Sequence, residues 1–447
     1  MKRTYTALFP FCGLGAGALG FLQAAADDAR FVSLGGIDFD PVACEDFARL
    51  TGSPAWCADV LRLSPQDLRD RYGETPPDVV FLSPPCQAAS GLLGASKAAT
   101  PEYQRLNELG YIWVALMLAA WTSKRPRLVL FENVPGLPTR AAAMLGRVKD
   151  LLRAAGYELA EGFHDCGEVG GLAQHRRRYL LVARHRETTG HYLYEPPRQR
   201  VRGCGEVLST LPVPLPGDET DAGPMHRLPR ISWLNWVRLA LIPAGGDWRD
   251  LDAAVNGLPG NVDDPRVSNA YPHSYGVLGW QQPSHTVSGT TSVGCGAYAV
   301  ADIRLGCEPR AGAYGVMGWQ DAAGTITGSA DVDNGRFSVA DPRKPPPSPV
   351  VIVARDGTWH RPLTTLELAL LQGLPATVNG RPLVLGGSVS VQRKHIGNAV
   401  PVDTARAIAG QMLRTLVASD EAGMFLSSSS IWVAPPRAVA STVGAIA

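Results

Sequence analysis

Short apolar runs alternate with amphipathic stretches over the first 200 residues. The amphipathic stretches predict helices from a glycine turn through Ala26, near 41–50, over 104–122 and near 140–155. The apolar runs predict strands at Tyr5–Phe9, Phe31–Ile37, Val79–Leu82 and Leu128–Phe131, and at about 157–163 and 178–184. This alternation is typical of an α/β domain with a mostly parallel sheet.

The pattern changes after residue 200, where Pro, Gly, Trp and Thr become frequent and helical periodicity fades. "YGVLGWQQPSHTVSG" (275–289) returns 39 residues later as "YGVMGWQDAAGTITG" (314–328), and weaker similarity continues to 304 and 343. Valine and threonine alternating with aromatics predict two β-rich units. Such units either pack within the protein or present loops to a partner.

Regular helical spacing returns late, over 364–374 and 401–416. The last 30 or so residues, with Ser427–Ser430, are expected to be loosely ordered. We therefore divide the chain into four parts: a first domain segment (1–198), an insert (199–355), a returning segment (356–418) and a tail (419–447).

Composition sets broad limits on function. The chain has 447 residues, 45% of them hydrophobic, and a net charge of +1, so bulk charge indicates no particular partner. The arginines that cluster between 176 and 202 are expected to form a solvated face. No apolar run approaches the ~18 residues of a membrane span. The eight cysteines form no CxxC pair, which predicts neither a disulfide framework nor a structural metal site and suits a cytoplasmic protein.

A glycine-rich turn, "LFPFCGLGAGALGF" (8–21), follows the first predicted strand and opens a helix. Gly13, Gly15 and Gly17 would let the backbone approach a ligand at the helix N-terminus, although a purely structural turn fits equally well. Asp38 ends the next apolar run, where a carboxylate can bind ribose hydroxyls. Asp59 follows a third segment and could meet an adenine amino group.

A second group of polar residues follows the next two strands. Cys86 comes after Val79–Leu82 and a Pro84-Pro85 step that fixes local geometry, and Glu132 ends the Leu128–Phe131 strand. The structural alternatives are a packed thiol and a loop cap. Gln174, Arg176 and Arg178 alternate, so they share one face of an extended segment. A thiol, a buried acid and an arginine on one edge fit covalent attack on an electron-poor ring.

These residues resemble the motifs of the DNA (cytosine-5)-methyltransferases. The six motifs occur in the family's order: "FCGLGAG" (11–17), "SPPCQ" (83–87), "ENV" (132–134), "QHRRR" (174–178), "RPLTTLELALLQGLP" (361–375) and "GNAVP" (397–401). They cover 1–198 and 356–416 and leave a gap where that family has its target-recognition region. The resemblance implies a Rossmann-like class I S-adenosylmethionine-dependent methyltransferase fold with an inserted, mainly β or irregular target-recognition domain.

The resemblance also implies roles for individual residues. Cys86 would attack C6 of a flipped cytosine, Glu132 would contact N3 and the exocyclic amine, and Arg176 and Arg178 would hold the thiol environment and the ring carbonyl. Four further residues, Gln87, Ser90, Asn133 and Gln174, are expected to contact the substrate. The residues expected to bind S-adenosylmethionine are Phe11, Gly13, Gly15, Gly17, Asp38, Phe39, Asp59, Pro84 and Asn398.

The expected substrate is double-stranded DNA, and the expected protein is monomeric and associated with the nucleoid. Two arrangements stay open: a cognate restriction enzyme accompanies the protein, or the protein acts without one. Three alternatives stay open: the same chemistry on RNA, a DNA-binding relative without activity, and transfer of a group other than methyl. In the insert, Arg227, Arg230, Trp280 and Trp319 are candidate DNA contacts, with packing of the tryptophans in the core as the competing interpretation.

Overall fold

An eight-stranded sheet forms the centre of the first domain segment. The computed structural model describes residues 3–26, 28–85, 101–214, 221–228, 241, 277–278, 299–300, 315–328, 330, 332, 335–343, 359–422 and 432–433. The strands of this sheet are β1 (Arg3–Pro10), β2 (Ala25–Ala26), β3 (Ala29–Asp38), β4 (Ala55–Cys57), β5 (Val79–Leu82), β6 (Leu128–Asn133), β7 (Tyr157–Asp165) and β8 (Arg177–His185). Their order is β2-β3-β1-β5-β6-β8-β7, and β4 pairs with β3.

The middle of the sheet is parallel. β1 pairs in parallel with β3 and β5, β3 with β4, and β5 with β6, whereas β8 runs antiparallel to β6 and β7. The carboxyl ends of β1, β3, β5 and β6 therefore open on one edge, where open parallel sheets bind ligands. This architecture confirms the predicted α/β fold.

Helices cover both faces of the sheet. They are α1 (Ala16–Gln23), α2 (Pro41–Thr51), α3 (Pro65–Tyr72), α4 (Pro101–Ala120), α5 (Leu137–Arg140), α6 (Ala142–Ala154), α7 (Cys166–Gly170), α8 (Cys204–Leu208), α9 (Thr365–Leu371), α10 (Val389–Asn398) and α11 (Val402–Ala422). A 3₁₀ turn spans Val60–Arg62. None of the helices in these described ranges is long and apolar enough to cross a membrane.

The core follows the two-residue period of the strands. Val79 and Phe81 of β5 point to the face covered by α1 and α11, and Val80 and Leu82 point to the face covered by α4 and α6. A third cluster, which includes Ala323 and Ile326, joins the insert to α9 and α10. The returning segment thus completes the core of the first segment, because α11 packs against α1.

Several predicted boundaries differ from the structure. The first helix ends at Gln23 rather than Ala26, because the chain becomes extended at Ala24 and the next two residues pair with β3. The helix expected near 140–155 spans Ala142–Ala154 and follows a separate short helix at Leu137–Arg140. The last helix runs to Ala422 instead of 416, and Asp420 near its end accepts hydrogen bonds from Tyr5 at 2.6 Å and Arg127 at 2.7 Å.

The remaining strands are short. β9 (Leu193–Tyr194) pairs with β17 (Trp432–Val433) of the tail. The others are β10 (Val277–Leu278), β11 (Ala299–Val300), β12 (Val316–Met317), β13 (Ser338–Asp341), β14 (Trp359–Pro362), β15 (Thr377–Val378) and β16 (Arg381–Pro382).

The sequence repeat has a structural counterpart. In the first copy Val277 pairs with Ala299 in a parallel bridge, and in the second copy Val316 pairs with Ser338 in the same way. The two pairs occupy equivalent positions, separated by the 39-residue offset of the repeat. Each copy therefore contains the same parallel strand pair.

Candidate functional site

Glu132 lies at the carboxyl edge of the sheet and is held from two sides. It is only 4% exposed. Ser83, which follows β5, donates a hydrogen bond from Oγ to Glu132 Oε2 at 2.6 Å. Arg178 on β8 places Nε 3.1 Å from Glu132 Oε1 in an ion pair without the alignment of a hydrogen bond. Among the described residues, Glu132 Oε1 thus keeps its lone pairs free of hydrogen-bond donors.

The segment that leads to Cys86 is braced against β6. Asn133 donates from Nδ2 to the carbonyl oxygen of Pro84 at 3.0 Å, and its own Oδ1 accepts from the amide of Val134 at 2.8 Å. The amide of Asn133 is therefore occupied by protein contacts at both ends. Cys86, Gln87 and Ser90 lie outside the described residues, which end at Pro85 on this side.

The glycine turn after β1 combines one open position with two packed ones. Gly13 has a left-handed φ of 51°, and a Cβ there would meet nothing within 4 Å. A Cβ on Gly15 would lie 2.9 Å from the ring of Phe47, and one on Gly17 would lie 2.5 Å from the ring of Phe81. Only Gly13 therefore presents its backbone to open space, whereas the other two glycines let α1 approach its neighbours.

Asp38 joins the glycine turn to the end of β3. Its Oδ2 accepts from the amide of Gly13 at 2.9 Å, and its Oδ1 accepts from the amide of Asp40 at 3.1 Å. Burial raises the pKa of Asp38, against the lowering effect of these amides. The amide of Phe39 also lowers the pKa of Asp38. The next residue, Phe39, exposes 69% of its surface, so a large apolar ring faces solvent directly beside the carboxylate.

The other predicted cofactor residues are more dispersed. Phe11 is half-buried, has a left-handed φ of 54° and packs edge-on against Trp113. Asp59 caps the 3₁₀ turn by accepting from the amide of Leu61 at 3.0 Å, and its side chain is 45% exposed. Asn398 is exposed at the last position of α10.

Gln174 and Arg176 bind the protein itself. Gln174 is fully buried and donates from Nε2 to the carbonyl oxygen of Leu371 at 3.1 Å. Arg176 donates to the carbonyl oxygens of Ile326, Gly397 and Ala399 at 2.9 to 3.0 Å. Burial, together with the neighbouring positive charge of Arg178, lowers the pKa of Arg176. Among the described contacts, both side chains join segments of the chain rather than face the sheet edge.

The arginine-rich span is only partly the solvated face that the sequence suggested: Arg177, Arg186, Arg198 and Arg200 are exposed, but three others are buried. Arg176, Arg178 and Arg184 are all at most 9% exposed. They lie within or beside β8, a strand covered on both faces, and each has carbonyl or carboxylate partners. The prediction was wrong for these three residues because charge alone does not distinguish a surface run from a strand that bears buried ion pairs.

Comparison with known families shows to which family the chain belongs. The family of C-5 cytosine-specific DNA methylases matches residues 9–203 and 311–414, more than half of the chain. The chain belongs to this family. The match includes both the Glu132 edge and the α10–α11 segment that packs beside it.

Individual relatives of this methylase are distant. It is 23% identical to the Type II methylase M.HgiDII of Herpetosiphon aurantiacus over 282 residues, which covers 62% of this chain and 74% of the relative. The Type II methyltransferase M1.HphI of Haemophilus parahaemolyticus is 24% identical over 267 residues, 59% of this chain and 67% of the relative. The structure of the Entamoeba histolytica methyltransferase EhMeth has the same fold, with a TM-score of 0.55 at 13% identity over 94% of this chain and 99% of that one.

Two residues that contact the candidate site were not predicted from the sequence. Ser83 is the hydroxyl that binds Glu132, and its place directly after β5 was a usable signal. His395 on α10 places Nε2 3.1 Å from Oδ2 of Asp40, which caps α2 beside Asp38. No local pattern links these last two residues, since 355 positions separate them.

Proposed function

We propose that the protein transfers a methyl group from S-adenosylmethionine to C5 of a cytosine in duplex DNA, through a covalent bond between Cys86 and C6 of the base. The observation that carries this proposal is the buried Glu132, held by Ser83 and Arg178 at the edge where the braced Pro84 leads into Cys86. The family match and the Type II methylase relatives support the choice of DNA as the substrate.

The residues around Gly13 fit the proposed cofactor. Asp38 offers a carboxylate for ribose hydroxyls, Gly13 leaves open space above the turn, and Phe39 offers an exposed ring against which an adenine can stack. When bound, S-adenosylmethionine supplies the methyl group as a positively charged sulfonium. The side chain of Asp59 lies after β4 with part of its surface exposed and would contact the adenine amine.

The chemistry divides between two side chains. The thiolate of Cys86 forms a bond to C6, which makes C5 electron-rich. Glu132 holds a proton at N3 and thereby neutralises the charge that develops on the ring, while Arg178 fixes the orientation of the carboxyl group. After C5 has gained the methyl group, loss of the C5 proton to solvent and cleavage of the sulfur–C6 bond restore the thiolate. The base must leave the duplex to reach this edge.

Trapping with 5-fluorocytosine DNA tests the proposal directly, because fluorine at C5 cannot leave as a proton and the covalent adduct persists. The wild-type protein with S-adenosylmethionine should form an adduct that survives denaturing electrophoresis. Cys86→Ser should form none, and the exposed-thiol control Cys57→Ser should form as much as wild type. An adduct with Cys86→Ser would show that another residue is the nucleophile.

The alternative substrates are separated by competition. Unlabelled duplex DNA should suppress methylation of labelled DNA, and structured RNA at equal concentration should not. Bisulfite sequencing of DNA from cells that produce the protein should show one methylated sequence. Because its relatives are Type II methylases, we also propose that this modification protects the sequence from a restriction enzyme.

A further inference from the structure

The second copy of the repeat lies between two parts of the proposed site. Ala323 forms a parallel bridge with Gln174: its carbonyl oxygen accepts from the amide of His175 at 2.6 Å, and its amide donates to the carbonyl oxygen of Ala173 at 2.8 Å. Thr325 donates from Oγ1 to the carbonyl oxygen of His175 at 3.2 Å. One side of this copy is thus attached to the segment that continues into Arg178.

The opposite side of the same copy packs on α10. A Cβ on Gly397 would lie 2.2 Å from the backbone of Thr327 and Gly328, so the helix and the repeat touch backbone to backbone. A Cβ on Gly328 would in turn lie 3.0 Å from Lys394. α10 carries Asn398 at its end, and residues 323–328 therefore act as a spacer between the Arg178 segment and the Asn398 helix.

Arg176 ties all three elements together. One terminal nitrogen of its guanidinium binds the carbonyl oxygen of Ile326 at 3.0 Å, and the other binds those of Gly397 at 2.9 Å and Ala399 at 3.0 Å. The planar fork of an arginine can serve acceptors on two sides at fixed spacing, which a lysine cannot do. Arg178, two residues further on, is the partner of Glu132.

A second connection runs through two buried amides. Gln174 Nε2 lies 3.3 Å from Oε1 of Gln372, and Gln372 donates from Nε2 to the carbonyl oxygen of Ile396 at 2.9 Å. Gln174 also accepts from the amide of Ile326 at 3.4 Å. The Arg178 segment, the second copy and α10 are therefore cross-connected at two separate points.

The residue ranges matched by the family model also distinguish the two copies of the repeat. The match resumes at residue 311, just before the second copy, whereas the first copy at 275–304 lies wholly in the unmatched interval. The common part of the family thus includes the copy that contacts Arg176. In that copy the partly buried Trp319 packs over Gly205, and the guanidinium of Arg343 lies 5.0 Å from its ring centre.

We propose that the second copy of the repeat is a positioning element of the methyl-transfer site: through Arg176 and Gln174 it sets the spacing between the Arg178–Glu132 pair and the Asn398 end of α10. Arg176 and Gln174 are positioning residues in this arrangement, because their described contacts are all with protein. The inference rests on the proposed function. It assigns sequence preference to parts of the insert other than residues 323–328.

Two substitutions each disturb one contact of residues 323–328. Arg176→Lys removes the fork, and Gly397→Ala pushes the helix away from the repeat. Both should lower kcat by about 10- to 100-fold, because a misplacement near 1 Å has that effect on catalysis. The KM for DNA and the methylated sequence should stay as in wild type. The matched control is Gly410→Ala in α11, where the added Cβ meets nothing within 4 Å and kcat should not change.

Hydrogen exchange tests the contacts between residues 323–328, the Arg178 segment and α10 without relying on activity. In both variants, but not in Gly410→Ala, amides of residues 173–178 and 389–398 should exchange faster than in wild type, while those of β1 stay protected. If the wild type is active but the two variants keep the exchange rates or the kcat of wild type, the positioning inference is wrong and the proposed function still stands. A change in the methylated sequence with kcat retained would also overturn it. A wild type that methylates no cytosine would overturn the proposed function and, with it, the positioning role.

Discussion

The buried ion cluster of Arg361, Glu367 and Asp341 gives the sharpest test of how the insert is held to the catalytic core. None of the three side chains is exposed. Arg361 binds both oxygens of Glu367, at 2.8 and 2.9 Å, and places Nε 3.1 Å from Asp341 Oδ2. Glu367 also accepts from the amide of Thr364 at 2.8 Å and so caps α9. We predict that Glu367→Gln strongly destabilises the protein.

The magnitude follows from the three bonds to Glu367. Glutamine keeps most contacts if its oxygen replaces Oε2, but its amide nitrogen then faces an Arg361 nitrogen, donor against donor. Arg361 loses one charged hydrogen bond and one of the two carboxylates that balance its buried charge. Breaking a buried pair in this way costs about 3 to 5 kcal/mol, and the remaining Asp341 favours the lower end.

The exposed pair of Arg200 and Glu206 is a matched control. Arg200 binds the two oxygens of Glu206 at 2.9 and 2.8 Å, and Glu206 accepts from the amide of Gly203 at 2.9 Å. The side chains are, however, 71% and 37% exposed. Because water replaces such contacts readily, Glu206→Gln should leave the urea midpoint close to that of wild type.

Urea unfolding followed by circular dichroism measures both variants at pH 7. Burial alone would raise the pKa of Glu367, but Arg361 outweighs it and lowers that pKa. The stability that Glu367 contributes is therefore present above its ordinary pKa and lost as the pH falls. The difference in urea midpoint between wild type and Glu367→Gln should therefore become smaller in acid. Equal midpoints for Glu367→Gln and Glu206→Gln would refute the argument from burial.

Three further predictions concern the site and the core. Asp38→Asn should weaken S-adenosylmethionine binding about 10- to 100-fold in calorimetry, because a charged acceptor is worth about 1.5 to 3 kcal/mol; unchanged affinity would remove Asp38 from the cofactor site. Gly17→Ala should cost about 1 to 3 kcal/mol in urea unfolding, since its Cβ would lie 2.5 Å from Phe81, and adding Phe81→Leu should recover part of the loss. Burial lowers the pKa of His226, so this side chain is harder to protonate in the folded protein than in the unfolded chain. The free energy of unfolding should therefore fall as the pH drops below ~6.5, and it should fall less in His226→Gln. A pH profile identical to that of wild type in His226→Gln would contradict this assignment.

The sequence by itself determined the elements whose signals are local. Short continuous apolar runs marked the central strands, and the positions at the ends of these runs placed Glu132 and Asp38 on one edge. Such predictions succeed because a strand end and its next residue are neighbours in the chain. The glycine turn was equally local, although only the structure separated the open Gly13 from Gly15 and Gly17, which make room for packed rings.

Only the tertiary structure decided which side chains meet across long intervals. Arg176 was expected at the thiol, and its described partners are instead carbonyls 150 to 223 residues away. The two copies of the repeat look alike in sequence, yet the second is docked between the Arg178 segment and α10. Residue periodicity reports which face of an element is buried, but not what buries it. That choice depends on the packing of the whole chain, which places residues 323–328 against both the Arg178 segment and α10.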